Sequence, residues 1–219
     1  VRPLLLDLFC GAGGAAMGYH RAGFDVVGVD IKPQPHYPFE FHEDDALDTL
    51  RTPPVTREFD VIHASPPCQA FSYLKDMHNA KAHDDLLTPT RALLRRIGLP
   101  YIIENVEGSP MVPTVVLCGS SFGLGAEGAR LQRHRLFETN WPLLGPPCVH
   151  GVAGRVIGVY GGHGRDRRRT VKTQDYSTEA RREAMGIDWM TGAELSQAIP
   201  PAYTQFIGEQ LLSVLEKSA

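Results

Sequence analysis

Short continuous apolar runs, set apart by glycine- and proline-rich turns, recur through the first 140 residues. Leu4-Leu5-Leu6-Asp7-Leu8-Phe9 is one such run, and its continuity predicts a strand buried on both faces. A glycine-rich turn over 10–14 follows, and Ala15 to Ala22 read as a helix ended by Gly23. Asp25 to Asp30 is a second apolar strand, closed by a carboxylate. Residues 31–45 are rich in Pro and His and read as a connection. Phe59 to Ala64 predicts the next strand, which Pro66-Pro67 stops. Leu86 to Ile97 is amphipathic and helical, and Gly98-Leu99-Pro100 stops it. Tyr101 to Val106 is a further strand, and Thr114 to Cys118 is apolar. Arg133 to Glu138 reads as a strand whose period of two puts Arg133 and Arg135 on one face. Val156 to Tyr160 predicts a short strand, 178–185 a helix, and 202–215 a terminal helix. Strands alternating with helices predict an α/β fold built on a mostly parallel sheet.

Composition narrows the class. The chain has 219 residues and 42% hydrophobic content, which suits one large globular domain or one domain with a small appendage. No apolar run approaches the roughly 18 residues of a membrane span, and the start leads directly into a strand, so neither a span nor a signal peptide is expected. Net charge is −3, so the chain as a whole is no basic nucleic-acid binder. Charge is segregated, however: residues 151–182 hold eight basic and three acidic side chains. That segment, with Arg165, Arg167, Arg168, Arg169 and Lys172 at its centre, suits a phosphate-contacting face, although a solvated loop has the same composition. The four cysteines are widely spaced, which suits a reducing compartment. Cys148-Val149-His150 is half of a metal-ligand pair with no second half at a usual spacing, so no metal is expected.

Two stretches carry candidate chemistry. The first is the turn after the opening strand. Gly11-x-Gly13-x-x-Ala16 lets backbone N–H groups approach a ligand, and Asp30 can accept from ribose hydroxyls. This points to a nucleotide-like cofactor without saying which, since it also fits the NAD fingerprint. Asp45 suits either an adenine amino group or the N-cap of a helix beginning at Ala46. The second is Ser65-Pro66-Pro67-Cys68-Gln69-Ala70-Phe71-Ser72, which holds a cysteine on a rigid turn at a strand end, as a nucleophile requires. Ligands of open α/β sheets bind beyond the C-terminal strand ends, which puts Gly11, Asp30, Asp45, Cys68 and Glu104 on one rim.

Taken together, these residues resemble the DNA (cytosine-5) methyltransferases, as a small bacterial- or phage-type member with a reduced recognition region. Asp7-Leu-Phe-Cys-Gly-Ala-Gly-Gly14 is similar to that family's cofactor loop, and Pro66-Pro67-Cys68-Gln69 to its nucleophile motif. Glu104-Asn105-Val106 resembles its glutamate motif, and Arg133-His134-Arg135 the arginines of its glutamine–arginine–arginine motif. Gln197-Ala198-Ile199-Pro200-Pro201 resembles the segment that returns the C-terminal helix to the cofactor. The order is the family's, over roughly 1–137 and 183–219. Two positions depart from the pattern, with Leu131 where glutamine is usual and Gln197 where asparagine is common.

The resemblance implies a Rossmann-like methyltransferase fold with helices on both faces of a twisted sheet and a small irregular recognition region. It implies three parts: a catalytic core over 1–138, recognition over 139–182, and a returning segment over 183–219. It implies S-adenosylmethionine held by Asp7, Phe9, Cys10, Gly11, Ala12, Gly13, Gly14, Asp30 and Ile31. Asp45, Ala46, Pro66, Gln197, Ala198 and Ile199 complete that set. Cys68 is then the nucleophile, Glu104 the acid, and Arg133, Arg135 and Asn105 their helpers. The partner implied is double-stranded DNA, touched by Gln69, Ser72 and the basic run, as in restriction-modification, with the chain a cytoplasmic monomer. An RNA cytosine methyltransferase and a non-catalytic DNA-binding relative are the alternatives.

Overall fold

The computed structural model describes residues 1–52, 58–67, 85–149, 154–160 and 176–218. Its strands are β1 (Leu4–Leu8), β2 (Asp25–Asp30), β3 (Glu40–Glu43), β4 (Val61–Ala64), β5 (Tyr101–Asn105), β6 (Val115–Leu117), β7 (Gly125–Ala126), β8 (Ala129–Leu131), β9 (Arg135–Thr139) and β10 (Arg155–Ile157). Its helices are α1 (Gly14–Ala22), α2 (Ala46–Arg51), α3 (Leu87–Ile97), α4 (Thr178–Met185), α5 (Gly192–Gln197) and α6 (Pro201–Ser218).

Seven strands form one sheet in the order β3-β2-β1-β4-β5-β9-β6. From β3 to β5 all neighbours are parallel, whereas β9 runs antiparallel between β5 and β6. Adjacent residues of each central strand serve opposite faces. Leu5, Val61 and Ile102 pack with α1 and α6 through Ala15, Tyr19, Tyr203, Ile207 and Leu211. Leu6, Ile62 and Ile103 pack with α2 and α3 through Ala46, Leu50, Leu87 and Leu94. This two-sided burial explains the continuous apolar runs. The antiparallel strand β9 is clamped to α3 by Arg91, whose Nε and Nη2 each donate to Glu138 at 2.8 Å. A bidentate pair of this kind fixes position as well as charge.

A second sheet of three strands, β10-β8-β7, lies over its own core. Ala126, Leu131, Ile157 and Val159 meet Ala180, Ala184 and Met185 of α4 there, and Ala12 of the glycine turn joins them. The small sheet takes β7 and β8 from before residue 139 and β10 from after it, so its packing straddles the boundary expected at 138/139.

Several elements differ from the sequence expectation. Strand β9 starts at Arg135, so Arg133 lies before it and does not share its alternation. Strand β3, Glu40-Phe41-His42-Glu43, is a polar sheet edge with no apolar run to announce it. The short pieces β7, β8 and α5 were also not anticipated. Among the described residues, no helix is long and apolar enough to cross a membrane.

Helices α1 and α6 approach closely enough to require glycine. A Cβ added at Gly18 would lie 2.0 Å from Thr204 Oγ1 and 2.2 Å from the Pro201 carbonyl oxygen. Thr204 Oγ1 in turn donates to the Ala15 carbonyl at 2.8 Å. The backbone oxygen cannot rotate away, so Gly18→Ala is expected to cost about 1–3 kcal/mol of stability by overpacking. Gly192, where the same Cβ would meet nothing closer than 3.6 Å, is the control. Gly192→Ala is expected to be neutral or stabilising by up to about 1 kcal/mol, from helix propensity alone. Denaturant midpoints of the two variants against the parent measure both effects.

Candidate active site

Strand β1 has β2 on one side and β4 on the other, so the chain's strand order reverses there, and a crevice opens beyond the C-terminal ends. The turn leaving β1 lies in that crevice. Phe9, Gly11 and Gly13 have φ of 57°, 49° and 81°, so three of five consecutive residues are left-handed. A non-glycine residue in that region is strained and is a frequent mark of a functional turn. The glycines have separate tasks. Above Gly11 a Cβ would meet nothing within 4 Å, which leaves open space for a ligand. At Gly13 it would lie 2.7 Å from Pro38, and at Gly14 2.5 Å from the Ile199 carbonyl oxygen. Gly14 therefore serves close packing of α1 against the returning segment.

Asp30, at the end of β2, is oriented by the backbone. Its Oδ2 accepts from Gly11 N–H at 3.1 Å and its Oδ1 from Lys32 N–H at 3.0 Å. Ile31 beside it is 65% exposed, an apolar surface next to a fixed carboxylate. Asp45 follows β3 and caps α2, with Oδ1 accepting from Leu47 N–H at 2.8 Å and Asp48 N–H at 3.1 Å. Of its two sequence readings, the cap is the one the structure contains, and Ala46 behind it is buried. Trp189, which the sequence reading overlooked, donates its indole N–H to the Ala12 carbonyl at 2.8 Å and supports the turn. Ile199 is buried against the turn, Ala198 is half-buried and Gln197 is exposed.

Asp7 is placed differently from its neighbours. It is 1% exposed, and both its oxygens lack a hydrogen-bond partner. Burial, reinforced by the charge of Asp30 and partly offset by the Tyr37 hydroxyl, pushes its carboxyl up to about 8. Cys10 is also buried, and burial beside Asp7 and Asp30 drives its thiol far above the ordinary range.

The other half of the crevice is built from the ends of β4 and β5. Pro66 is buried, and its carbonyl accepts from Asn105 Nδ2 at 3.0 Å. The preceding residue of β5, Glu104, meets Arg135 of the adjacent strand β9, with Nε 2.9 Å from Oε1. Both are buried, with Glu104 6% exposed. Burial raises the Glu104 carboxyl above its ordinary value even though Arg135, Arg133 and the Ser65 hydroxyl all pull it down. Ser65 Oγ is also 2.8 Å from His63 Nε2, and His63 Nδ1 is 2.9 Å from the Tyr19 hydroxyl. Burial lowers His63 to about 3, so this link is a neutral imidazole. A histidine inside an apolar run gave no signal of that role.

Arg133 does something other than expected from alternation with Arg135. Its guanidinium donates to the carbonyls of Val159, Ser196 and Ala198, the last two at 2.8 and 2.9 Å. Its own carbonyl accepts from the Tyr203 hydroxyl at 2.6 Å. Burial lowers this guanidinium to about 9. It is a buried strut between the small sheet, the returning segment and α6. Cys68, Gln69, Ser72, Arg165, Arg167, Arg168, Arg169 and Lys172 lie outside the described residues. Of the remaining cations of the 151–182 segment, Arg155 packs 5.7 Å over the Tyr176 ring and Arg182 donates to the Met190 carbonyl.

Residues 4–109 match the family model of C-5 cytosine-specific DNA methylases. The chain is 27% identical over 187 residues to the Type II methyltransferase M.AgeI of Thalassovita gelatinovora, covering 70% of this chain and 44% of that protein. It is 32% identical over 126 residues to the Type II methyltransferase M.XorII of Xanthomonas oryzae pv. oryzae, covering 49% and 29%. The chain thus spans less than half the length of these curated relatives. In fold it is similar to the Dnmt2 methyltransferase of S. pombe, with a TM-score of 0.58 at 14% identity, over 98% of this chain and 99% of that one.

The Asp7 carboxyl generates a pH prediction. In the unfolded chain it releases its proton near about pH 4, whereas in the folded chain it holds the proton to about 8. Over that window the folded state binds more protons, so Asp7 makes stability fall as pH rises, and the effect levels off above it. Asp7→Asn removes the titration. Its unfolding free energy relative to the parent is expected to increase from pH 5 to pH 8. A difference independent of pH in urea titrations contradicts the placement of Asp7.

Proposed function

Because residues 4–109 match the family model of C-5 cytosine-specific DNA methylases, we propose that the chain methylates carbon 5 of a cytosine flipped out of double-stranded DNA. The observation that carries this reading is the buried Glu104–Arg135 pair on the strand whose next residue, Asn105, holds the Pro66 carbonyl. In this reading Glu104 is the acid, Arg135 the cation, and Pro66 opens the turn that leads to Cys68.

S-adenosylmethionine, when bound, supplies an electrophilic methyl group. Residues suited to hold it are the open Gly11 backbone, the oriented Asp30 carboxylate and the exposed Ile31, which match the amides, hydroxyls and flat base of an adenosine. Asp45 reaches the same rim with the carboxylate oxygen it does not use as a cap. Pro66, beside Cys68, borders this space from the β4 side.

Cytosine carbon 5 is a weak nucleophile. In this reading the Cys68 thiolate adds to carbon 6, and the ring electrons move toward nitrogen 3 and the exocyclic oxygen. Glu104, kept protonated more readily by its burial, donates to nitrogen 3. Arg135 holds the Glu104 carboxyl in place and presents its guanidinium to the exocyclic oxygen. Carbon 5 is then enamine-like and takes the methyl group. Loss of the carbon-5 proton to a base expels Cys68 and restores the aromatic ring. The reacting carbon is inaccessible in a stacked duplex, hence the flipped base. Arg133 and Asn105 are positioning residues.

Residues 139–182 form the recognition region in this reading, and Arg165, Arg167, Arg168, Arg169 and Lys172 meet phosphates. The reading has the chain act as a monomer in the cytoplasm.

Transfer of labelled methyl groups to duplex DNA, with transfer RNA as the parallel substrate, tests this function. DNA methylation is expected. Methylation of RNA alone assigns the chemistry to the other nucleic acid. Glu104→Gln keeps shape and hydrogen bonding but removes the proton, and its rate is expected to fall about 10²–10⁴-fold. Rates within a factor of about two of the parent contradict the acid role.

A further inference from the structure

Strands β6 and β9 pair antiparallel, with Leu117 opposite Arg135. One step beyond that pair, Cys118 and His134 face each other where the two strands leave the sheet. The loop after β9 then returns Cys148 to the same place. Three contacts hold that loop to the 3₁₀ turn Gly119–Phe122 and to β8. Ser121 Oγ donates to the Pro147 carbonyl at 2.9 Å, Val149 N–H donates to Ser120 Oγ at 3.3 Å, and Arg130 donates to the Val149 carbonyl at 3.2 Å. The result is a cluster in which Cys118 Sγ, a His134 ring nitrogen and Cys148 Sγ lie within 4.8 Å of one another. Cys118 is buried, His134 is half-buried and Cys148 is exposed.

Geometry within the cluster is specific. Cys148 Sγ is 3.4 Å from His134 Nε2. A tetrahedral zinc ion with Zn–S of about 2.3 Å and Zn–N of about 2.0–2.1 Å has an S···N edge of about 3.5 Å. The other ring nitrogen, Nδ1, faces the Glu107 carboxylate at 3.3 Å. A carboxylate behind a histidine fixes the tautomer that leaves Nε2 as a donor to metal, the arrangement usual behind metal-bound histidines. Two thiolates and one imidazole are a borderline-soft set, suited to zinc rather than to magnesium or calcium.

We propose that Cys118, His134 and Cys148 bind one zinc-class divalent cation, with water completing a tetrahedron on the exposed side. Binding displaces the two thiol protons and leaves the histidine neutral, with Nδ1–H donated to Glu107. The ion joins the ends of β5, β6 and β9 to the first loop of the recognition region. It also pins the backbone of His134, whose carbonyl accepts from Arg135 Nη1 at 2.8 Å. The metal is thus structural, and it steadies the strand that carries Arg135. Spacing conceals the site in the sequence, because its ligands come from three segments and none stands two to four residues from another.

The test is metal content and cobalt spectroscopy of the 219-residue chain, produced without a polyhistidine tag in zinc-supplemented medium and kept reduced. About one equivalent of zinc per chain is expected in the parent and in His42→Ala, which alters the opposite sheet edge. Less than about a tenth of an equivalent is expected in Cys148→Ser. Cobalt(II) added to the metal-free parent is expected to give thiolate-to-cobalt charge-transfer absorption and the intense visible bands of a tetrahedral site. If Cys148→Ser does not fold, the parent's zinc stoichiometry and cobalt spectrum decide alone. A reduced parent that carries no zinc and shows no such bands overturns the proposal. So does a full equivalent of zinc retained by folded Cys148→Ser.

Discussion

A buried carboxylate near the end of β5 is held against one buried guanidinium, and much of the surrounding structure keeps that pair in place. Glu104 is 6% exposed, and removal of its partner Arg135 would leave a buried charge at a cost of about 3–5 kcal/mol. Arg135 must therefore be delivered to one position. Strand β9 does this by running antiparallel between β5 and β6, and the Arg91–Glu138 clamp holds it there. An apolar pair of the same volume would be as stable. Retention of an acid whose affinity for its proton is raised by burial favours a chemical role over a structural one.

The second requirement is closure of the chain's two ends around that site. Helix α6 packs on α1 through Gly18, the returning segment lies against Gly14, and Trp189 reaches the glycine turn. Arg133 connects the same segment to the small sheet. The glycine turn, the returning segment and the small sheet are therefore joined through side chains bonded to one another's backbone. Glycines 14 and 18 are small because neighbouring backbone occupies the space, whereas Gly11 is small with nothing near it. Its left-handed φ of 49° is what requires glycine there.

The central strands were legible because burial on both faces leaves continuous apolar runs. Asp30 and Glu104 were legible as carboxylates at the ends of two strands, and Asp45 as the cap of the helix that begins at Ala46. Strand β3 escaped because an edge strand with a solvent face needs no apolar run. Arg133 was read by alternation with Arg135, yet the strand starts only at Arg135, so the two guanidinium groups go to different partners. Asp7 belongs to a motif similar to a cofactor loop, but its side chain points into the interior, and no periodicity reports that. Contacts made between distant segments, such as Trp189 with Ala12 or His134 with Cys148, have no local signature.

The account rests on Cys68 as the residue that adds to the cytosine ring beside Glu104 and Arg135. Fluorine at carbon 5 cannot leave as a cation, so a duplex carrying 5-fluorocytosine should stop the reaction at the covalent stage. A random-site fluorinated pool, incubated with S-adenosylmethionine, is expected to yield a protein–DNA adduct that peptide mass spectrometry places on Cys68. Cys68→Ser should give none, because a serine hydroxyl is far less ionised than a thiol. A cross-link on Cys10, Cys118 or Cys148, or methylation that persists in Cys68→Ala, contradicts the account.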